Sequence, residues 1–417
     1  MTAPERIAAW FARLSAVEMA LILAVVAQTL FMLNLGQPAK LMFDETHYVP
    51  AARDLFAMAG PSNVEHPPFG KWLIGLSMAL FGDNPGGWRV LSTVAGTATV
   101  LAIYAIALGL FRDVRTAATA GLLTLLNQLV FIQARIAMLD VYMGAFLMAG
   151  LALVIHAHAG ERPARRALIG AGVCLGLAVA SKWAAIPYVA AVCAGFLWIR
   201  WRSGGRGWPG ISTTSGLACL GLVSLAAYFA TFTPTLFYAR EPLSLFGLIP
   251  HQFRMLALQS QPLAPHNYMS DWWDWPLILR PIWYLYEPVD GVMRGVLLVG
   301  NPAIMWGGLI AVAACLWAGV RHGAAPLLLV AGLYLFALGV WIVIPKQIGF
   351  YYYYYLPALF LSLALAGSFH HYALRRLPAA FLAVSAALFV YFFPILSAAA
   401  LPDDQAFLHW MWFSTWL

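Results

Sequence analysis

The chain has 417 residues, of which 62% are hydrophobic and only 10% are charged, and its mean hydropathy is +0.77. A soluble globular protein does not carry so much apolar surface, so the composition predicts a protein that crosses a membrane many times. The formal net charge is +7, but the distribution of the basic residues along the chain argues against a nucleic-acid-binding protein.

Apolar runs of about 20 residues, unbroken by strand-like alternation, predict α-helices rather than a β-barrel. The fold class is therefore an all-α integral membrane protein with about eleven transmembrane helices. The first run has no convincing cleavage site and is interpreted as a membrane anchor. The predicted spans are residues 18–35, 88–111, 116–134, 138–158, 167–181, 184–200, 212–234, 292–319, 325–344, 350–369 and 378–400.

Two further features refine this prediction. The segment HPPFGKWLIGLSMALFG, residues 66–82, is apolar but short, and its two prolines favour an interfacial helix over a twelfth span. The four cysteines lie inside apolar runs without CxxC spacing, which predicts buried thiols and neither a disulfide nor a zinc framework. The cysteines are Cys174, Cys193, Cys219 and Cys315.

The basic residues predict the orientation. With the N-terminus in the cytoplasm, short inside segments carry 13 of the 24 basic residues and almost no carboxylates, as the positive-inside rule requires. The odd number of spans then puts the C-terminus outside, and residues 36–87 and 235–291 form two long outside loops of one domain spanning 1–417. All four lysines lie outside, which is typical of a surface that binds an anion. The inside residues are Arg6, Arg13, Arg112, Arg115, Arg162, Arg165, Arg166, Arg200, Arg202, Arg206, Arg321, Arg375 and Arg376.

The first outside loop concentrates the ionisable residues of the chain. It begins with FDETHYV, residues 43–49, and a carboxylate there could remove the proton of an attacking hydroxyl group. Because adjacent Asp44 and Glu45 point in different directions, only one of them is expected to be the base. A solvated acidic loop is the plain alternative. His47 and His66 with these carboxylates form a second alternative, a divalent-cation site.

Several other outside residues are candidates for substrate binding, each with a structural alternative. Lys71 follows a rigid HPP turn and could simply extend to the membrane surface. Arg89 opens a span and could be an anchor, whereas Arg135 and Asp140 could pair with each other. The tyrosine run 351–355 could be an interfacial belt, although five consecutive tyrosines on a helix must also face inward. Lys346, directly before this run, is a candidate phosphate ligand.

Read together, these motifs resemble the protein O-mannosyltransferases that use dolichyl- or polyprenyl-phosphate mannose. The resemblance runs in order through FDETHYV, HPPFGK, GWRVLSTVAG, ARIAMLD, GLAVASKW, HNYMSDWWDWPLILRPIWY, GNPAIMW and FYYYYYLP. It implies the GT-C membrane glycosyltransferase fold with an extracytoplasmic active site in the cytoplasmic membrane. The compact chain is more like the bacterial members, because it has no room for the lumenal β-trefoil domain of the eukaryotic ones.

The resemblance also implies roles for individual residues. Asp44 matches the family's acidic base, and Glu45 matches the acidic neighbour that is thought to bind the acceptor. Arg89 matches an arginine important for activity, and Asp140 matches a second acidic position. Assignment of the lipid phosphate to Arg280 and Lys346 is our own inference. The full set of predicted substrate-binding residues is Glu45, His47, His66, Lys71, Arg89, Arg135, Asp140, Lys182, His266, Arg280, Lys346 and Tyr351.

The predicted function is transfer of a sugar, most simply mannose, from a polyprenyl-phosphate donor to Ser or Thr hydroxyls of exported proteins, with inversion. No metal ligand is assigned, and a divalent cation stays open. The same donor chemistry on lipid A or a surface glycan is the alternative within this class. A lipid or sugar transporter is less favoured, because it would place ionisable groups at the bilayer midplane in repeated halves.

Overall fold

The computed structural model describes residues 14–160, 163–262, 264–344, 346 and 348–417. The inside residues Arg6, Arg13 and Arg162 lie outside the described residues. The helices are α1 Ala16–Met32, α2 Glu45–Phe56, α3 Phe69–Phe81, α4 Pro85–Phe111, α5 Val114–Leu125, α6 Gln128–Gln133, α7 Leu139–Ala159, α8 Arg165–Ser181, α9 Ile186–Arg202, α10 Thr213–Phe237 with a π turn at Ala218–Leu222, α11 Leu248–Gln259, α12 Pro302–His322, α13 Ala325–Val343, α14 Tyr355–His371 and α15 Leu377–Leu396.

The prediction of a helical membrane protein is confirmed. Within the described residues, seven helices are long and apolar enough to cross a membrane: α4, α7, α9, α10, α12, α13 and α15. The shorter apolar helices α1 and α3 fall below that length. The count of eleven spans therefore stays a prediction.

Helix α14 lies at the centre, and its residues from Tyr355 to Phe369 are all buried. Close packing elsewhere depends on small residues, as is usual between membrane helices. A Cβ atom on Gly172 of α8 would lie 2.0 Å from the carbonyl oxygen of Cys219, and one on Gly176 would lie 2.3 Å from that of Ser224. The backbones of α8 and α10 therefore touch at positions where a larger side chain would separate them.

Two predicted spans are wrong in detail. The run 116–134 is broken between α5 and α6, where the buried Asn127 side chain accepts a hydrogen bond from the Leu129 amide and starts a new helix. The run 292–319 begins with a strand, because residues 292–298 pair with the preceding segment before Pro302 opens α12.

The strands form a small antiparallel sheet of β1 Ile282–Val289, β2 Val292–Leu298 and β3 Ala400–Leu401. Asp290 and Gly291 both have positive φ and connect β1 to β2 as a two-residue hairpin loop. Asp-Gly is the pair that such a turn favours. Strand β1 lies in the second predicted outside loop and reaches the site described below through Tyr284.

The ends of the helices gather at two opposite ends of the molecule. Arg89 near the start of α4 pairs with Glu45, whereas Phe111 at its other end contacts His370 at the end of α14. His322 stacks on His371 at that same end. The arginines at this end, Arg112, Arg321, Arg375 and Arg376, therefore lie one helix length away from Asp44.

Candidate functional site

A cavity of about 640 Å³ lies where the first predicted outside loop meets the starts of α9 and α14. Its wall combines charged and aromatic side chains in an enclosed space, which is the usual make-up of a ligand site. The ionisable side chains on the wall are Asp44, His47, Glu65, His66, Lys182 and Lys346, and the aromatic ones include Tyr48, Trp183, Trp341, Phe350, Tyr352 and Tyr353.

The backbone around Asp44 is held from both sides. Asp44 directly precedes α2, and its carbonyl oxygen accepts hydrogen bonds from the amides of His47 and Tyr48 at 3.0 and 2.9 Å. Phe43 has a left-handed backbone with φ of 49°, and its ring stacks on Tyr284 at 4.2 Å. A bulky residue adopts this conformation only where its surroundings fix it. The stack on β1 supplies that fixation and orients the next residue.

Glu45 has a different environment from its neighbour. Its carboxylate is fully buried and forms a bidentate ion pair with Arg89, at 2.8 and 2.7 Å. It also accepts hydrogen bonds from the amides of Met42 and Ala137. The structure thus places Glu45, a predicted acceptor ligand, behind the cavity wall with its oxygens already occupied.

Arg89 and the nearby Arg135 are likewise buried and used by the protein itself. Each guanidinium donates to carbonyl oxygens of the chain that leads from α1 to Asp44. We call Glu45, Arg89 and Arg135 the arginine network. The carbonyl acceptors are Leu35, Pro38 and Lys40 for Arg89, and Phe31, Leu33 and Asn34 for Arg135.

Lys182 is the buried cation of the cavity. Its ammonium donates to both oxygens of Asp140, at 2.9 and 2.8 Å, and lies 4.9 Å from the ring centre of Tyr352 and 5.6 Å from that of Tyr353. The pairing considered for Arg135 and Asp140 is therefore wrong. Asp140 instead fixes Lys182 beside two aromatic faces, an arrangement in which cations are further stabilised.

The electrostatics separate Asp44 from an ordinary surface carboxylate. Burial raises the pKa of Asp44 to about 6, while the positive charge of Lys182 opposes a larger rise. Burial and the charges of Lys182, Lys71 and Lys346 hold the pKa of His66 well below its usual value, so this imidazole is neutral. At neutral pH the cavity thus holds an ionised Asp44 that is more basic than usual, beside an uncharged histidine.

Lys71 and the HPP turn form a single structural unit. The buried ammonium of Lys71 donates to the carbonyl oxygens of Ser62, Asn63 and His66. Burial lowers the pKa of Lys71 to about 7, although the nearby Glu65 charge favours the protonated form. Lys71 lies on the wall of a neighbouring cavity and orders the loop that carries His66.

Three further predicted residues lie away from the cavity wall. Tyr351 is fully buried next to Gly300. His266 is exposed and does not line the cavity, but its ring contacts Phe350 on the wall, at 5.4 Å between ring centres. Arg280 donates to the carbonyl oxygen of Asn267. The structure therefore brings Asp44, His47, His66, Lys182 and Lys346 together on one wall, with Asp140 behind Lys182.

Sequence reasoning missed several wall residues. Glu65 directly precedes the HPP motif, a position that marks it as part of the same turn. Some tyrosines of the run 351–355 were expected to face inward, and Tyr352 and Tyr353 are two that face the cavity. Trp183 follows Lys182 in the SKW motif, so each of these four residues belongs to or adjoins a motif that was singled out. Within the described residues, no group of three or more His, Cys, Asp or Glu side chains converges to form a metal site.

Two family profiles and one relative match most of this chain. A family profile described as dolichyl-phosphate-mannose-protein mannosyltransferase matches residues 65–229, and one described as the C-terminal four TMM region of protein-O-mannosyltransferase matches residues 245–416. A polyprenol-phosphate-mannose–protein mannosyltransferase of Mycolicibacterium smegmatis is 31% identical over 371 residues, covering 72% of this chain and 70% of that protein.

Two further comparisons concern the fold and a partial match to another transferase that uses a lipid-phosphate sugar. The structure of the S. cerevisiae protein O-mannosyltransferase Pmt1-Pmt2 complex bound to the sugar donor matches with a TM-score of 0.81 and 15% identity, covering 97% of this chain and 93% of that one. This likeness shows a shared fold. An undecaprenyl phosphate-α-4-amino-4-deoxy-L-arabinose arabinosyl transferase of Pseudomonas aeruginosa is 34% identical over 143 residues, only 32% of this chain and 26% of that protein.

Proposed function

Because the chain belongs to the protein O-mannosyltransferase family, we propose that it transfers mannose from a polyprenyl-phosphate donor to Ser and Thr hydroxyls of exported proteins, with inversion. The observation that carries this proposal is a single cavity in which Asp44 and the buried cation Lys182 share one wall. A base for the incoming hydroxyl and a cation for the departing phosphate are the two groups this reaction needs.

Asp44 acts as the base in this proposal. The acceptor oxygen attacks C1 of the mannosyl group, the bond between C1 and the phosphate oxygen breaks, and the hydroxyl proton passes to the Asp44 carboxylate. A base works best when its pKa lies near the working pH. With a pKa of about 6, Asp44 is mostly ionised at pH 7 and is still a stronger base than an ordinary aspartate.

Lys182 and Lys346 stabilise the leaving group. Both side chains lie on the cavity wall, and the phosphate gains negative charge as its bond to C1 breaks. Asp140 holds the Lys182 ammonium in place, so little reorganisation is needed during the reaction. Tyr352 and Tyr353 lie beside Lys182 on the same cavity wall, where they can contact the sugar.

An apolar groove supports a lipid-linked donor. This groove is an almost wholly apolar cavity of about 440 Å³ between α8, α9 and α10. It shares Trp183 and Ile186 with the catalytic cavity. Helix α9 is little covered by the rest of the protein, so the groove faces the bilayer. In this proposal the polyprenyl tail lies in the groove while its phosphate reaches Lys182.

Filling this groove is expected to discriminate against long donors. Ala190 lines the groove, so Ala190→Trp should raise the KM for a long-chain polyprenyl-phosphate mannose at least about tenfold and leave a donor of two isoprene units almost unaffected. The matched control is Ala194→Trp, an exposed alanine one turn further along α9 that does not line the groove. Equal effects of Ala190→Trp on both donors would contradict the proposed tail site.

The proposed location is the cytoplasmic membrane, with the N-terminus in the cytoplasm and the active site and C-terminus outside. The arginines at the end opposite Asp44 support this orientation, because cytoplasmic loops and the adjoining helix ends are enriched in Arg and Lys. An outward-facing Asp44 would meet exported chains as they emerge.

The direct test uses purified protein in lipid vesicles with polyprenyl-phosphate mannose and a synthetic peptide that carries one threonine. We expect release of polyprenyl phosphate together with a peptide heavier by one hexose, both measured by mass spectrometry. Phosphate release with unmodified peptide, but with sugar on added lipid A or glycan, would instead support the alternative acceptor. Movement of donor across the vesicle membrane without any covalent product would support a transporter.

A further inference from the structure

We infer that a second cavity beside the catalytic one binds an extended segment of the acceptor polypeptide; this inference rests on the proposed function. The cavity has a volume of about 250 Å³ and lies between the first outside loop and residues 232–254. His66 lines both this cavity and the catalytic one, so the two spaces meet at a single imidazole.

The chemistry of the wall suits a peptide. Polar groups such as Ser62, Thr235 and Tyr238 alternate with apolar ones such as Leu55 and Leu243. A peptide in extended form presents backbone donors and acceptors together with side chains, and both must be matched when it is bound. The groove assigned to the lipid tail has an almost wholly apolar wall. The two cavities therefore differ in polarity in the same way as a peptide and a polyprenyl chain.

The walls of this cavity are already fixed by the protein. The Ala239 amide donates to the Met58 carbonyl oxygen at 2.9 Å, and the Arg240 amide donates to that of Ala59 at 3.1 Å, which joins the two outside loops. The Lys71 ammonium holds the turn that carries His66 through its hydrogen bonds to three carbonyl oxygens. A preformed wall loses little conformational freedom on binding, which favours affinity.

His66 is the contact point between the two substrates in this arrangement. Its Nδ1 atom is buried and has no hydrogen-bond partner among the described residues. A buried polar atom without a partner is costly, and a hydroxyl or amide of the peptide would satisfy it. The acceptor side chain would then pass His66 to reach Asp44, while the flanking peptide stays in the second cavity.

The test obstructs the second cavity without touching the catalytic one. Arg254 lines the cavity, is exposed and belongs to the helix α11. In Arg254→Cys, modification with a bulky maleimide is expected to raise the KM for the threonine peptide at least about tenfold and to leave the Kd for polyprenyl-phosphate mannose unchanged. A small methylthio group on the same cysteine should change the KM less than about twofold.

Two controls make the outcome decisive. The unsubstituted protein, treated with the same maleimide, reports on the four native cysteines, and Gln405→Cys places the bulky group on an exposed residue that lines neither cavity. An unchanged peptide KM in the modified Arg254→Cys protein would overturn the acceptor site, as would an equal loss of donor binding. Failure of the unsubstituted enzyme to modify any peptide would overturn the proposed function itself.

Discussion

Replacement of Asp44 by asparagine is expected to lower kcat for mannosyl transfer by about 10²–10⁴-fold, the range typical for loss of a general base. Asparagine has nearly the same shape but cannot take up the hydroxyl proton. Donor binding should be little changed, because Lys182 and the apolar groove are intact. The measurements are the rate of polyprenyl-phosphate release in the presence of peptide and the Kd of the donor.

The pH dependence of the transfer rate tests the assignment of Asp44 as the base independently. Because the pKa of Asp44 is raised to about 6, the unsubstituted enzyme should lose activity as pH falls through 6, where the base becomes protonated. The residual activity of Asp44→Asn should not show this limb. Glu65→Gln is the matched control, since Glu65 is a second carboxylate on the same cavity wall; it should retain the limb and most of the activity. A near-normal rate in Asp44→Asn would refute the assignment of the base.

The same substitution should not destabilise the protein. Asp44 has a folded-state pKa of about 6, above its ordinary value of 3.8. Charging this group therefore costs folding free energy as pH rises from about 4 to 6, and the cost is absent below that window. Two pKa units correspond to at most about 3 kcal/mol. At pH 7 Asp44→Asn should thus be as stable as the native protein or more stable, so lost activity cannot be attributed to unfolding.

The sequence was most informative about which segments matter. FDETHYV and HPPFGK stand out because charged residues are rare in this chain, and both segments do line the cavity. Adjacent carboxylates could not be separated from sequence alone, however. Asp44 and Glu45 differ only in the direction taken by one residue at the start of α2, and that direction depends on the Phe43 stack and on Arg89, which is 44 residues away.

Pairing between distant residues was the main gap. Lys182 and Asp140 are separated by 42 residues and meet only because α7 and α8 pack side by side. The local spacing suggested Arg135 as the partner of Asp140, but the Arg135 guanidinium instead donates its hydrogen bonds to backbone carbonyl groups. The β-hairpin was missed for a different reason. Strand β2 is mostly apolar and lies shortly before α12 in the sequence, so the two together were predicted as one membrane span. Asp290-Gly291, a recognised hairpin signal, marks the turn before β2.

The arginine network leads to the second large effect. Arg89→Met is expected to lower the free energy of unfolding by about 3–5 kcal/mol, because it leaves the fully buried Glu45 carboxylate without its counter-ion. The same change removes the hydrogen-bond donor of three backbone carbonyl groups in the segment before Asp44. Reversible SDS titration of the purified protein would measure the loss, and activity should fall because Asp44 is no longer held in place.

Arg53→Met is the matched control for this substitution. Arg53 also forms a bidentate pair, with Asp83 at 2.8 Å for both contacts, but the two side chains are 40% and 50% exposed. Water and salt screen such a pair, so its loss should cost no more than about 1 kcal/mol. Similar costs for the two variants would mean that burial does not set the strength of the Glu45–Arg89 pair. In that case, the Glu45–Arg89 pair would contribute little to the anchoring of Asp44.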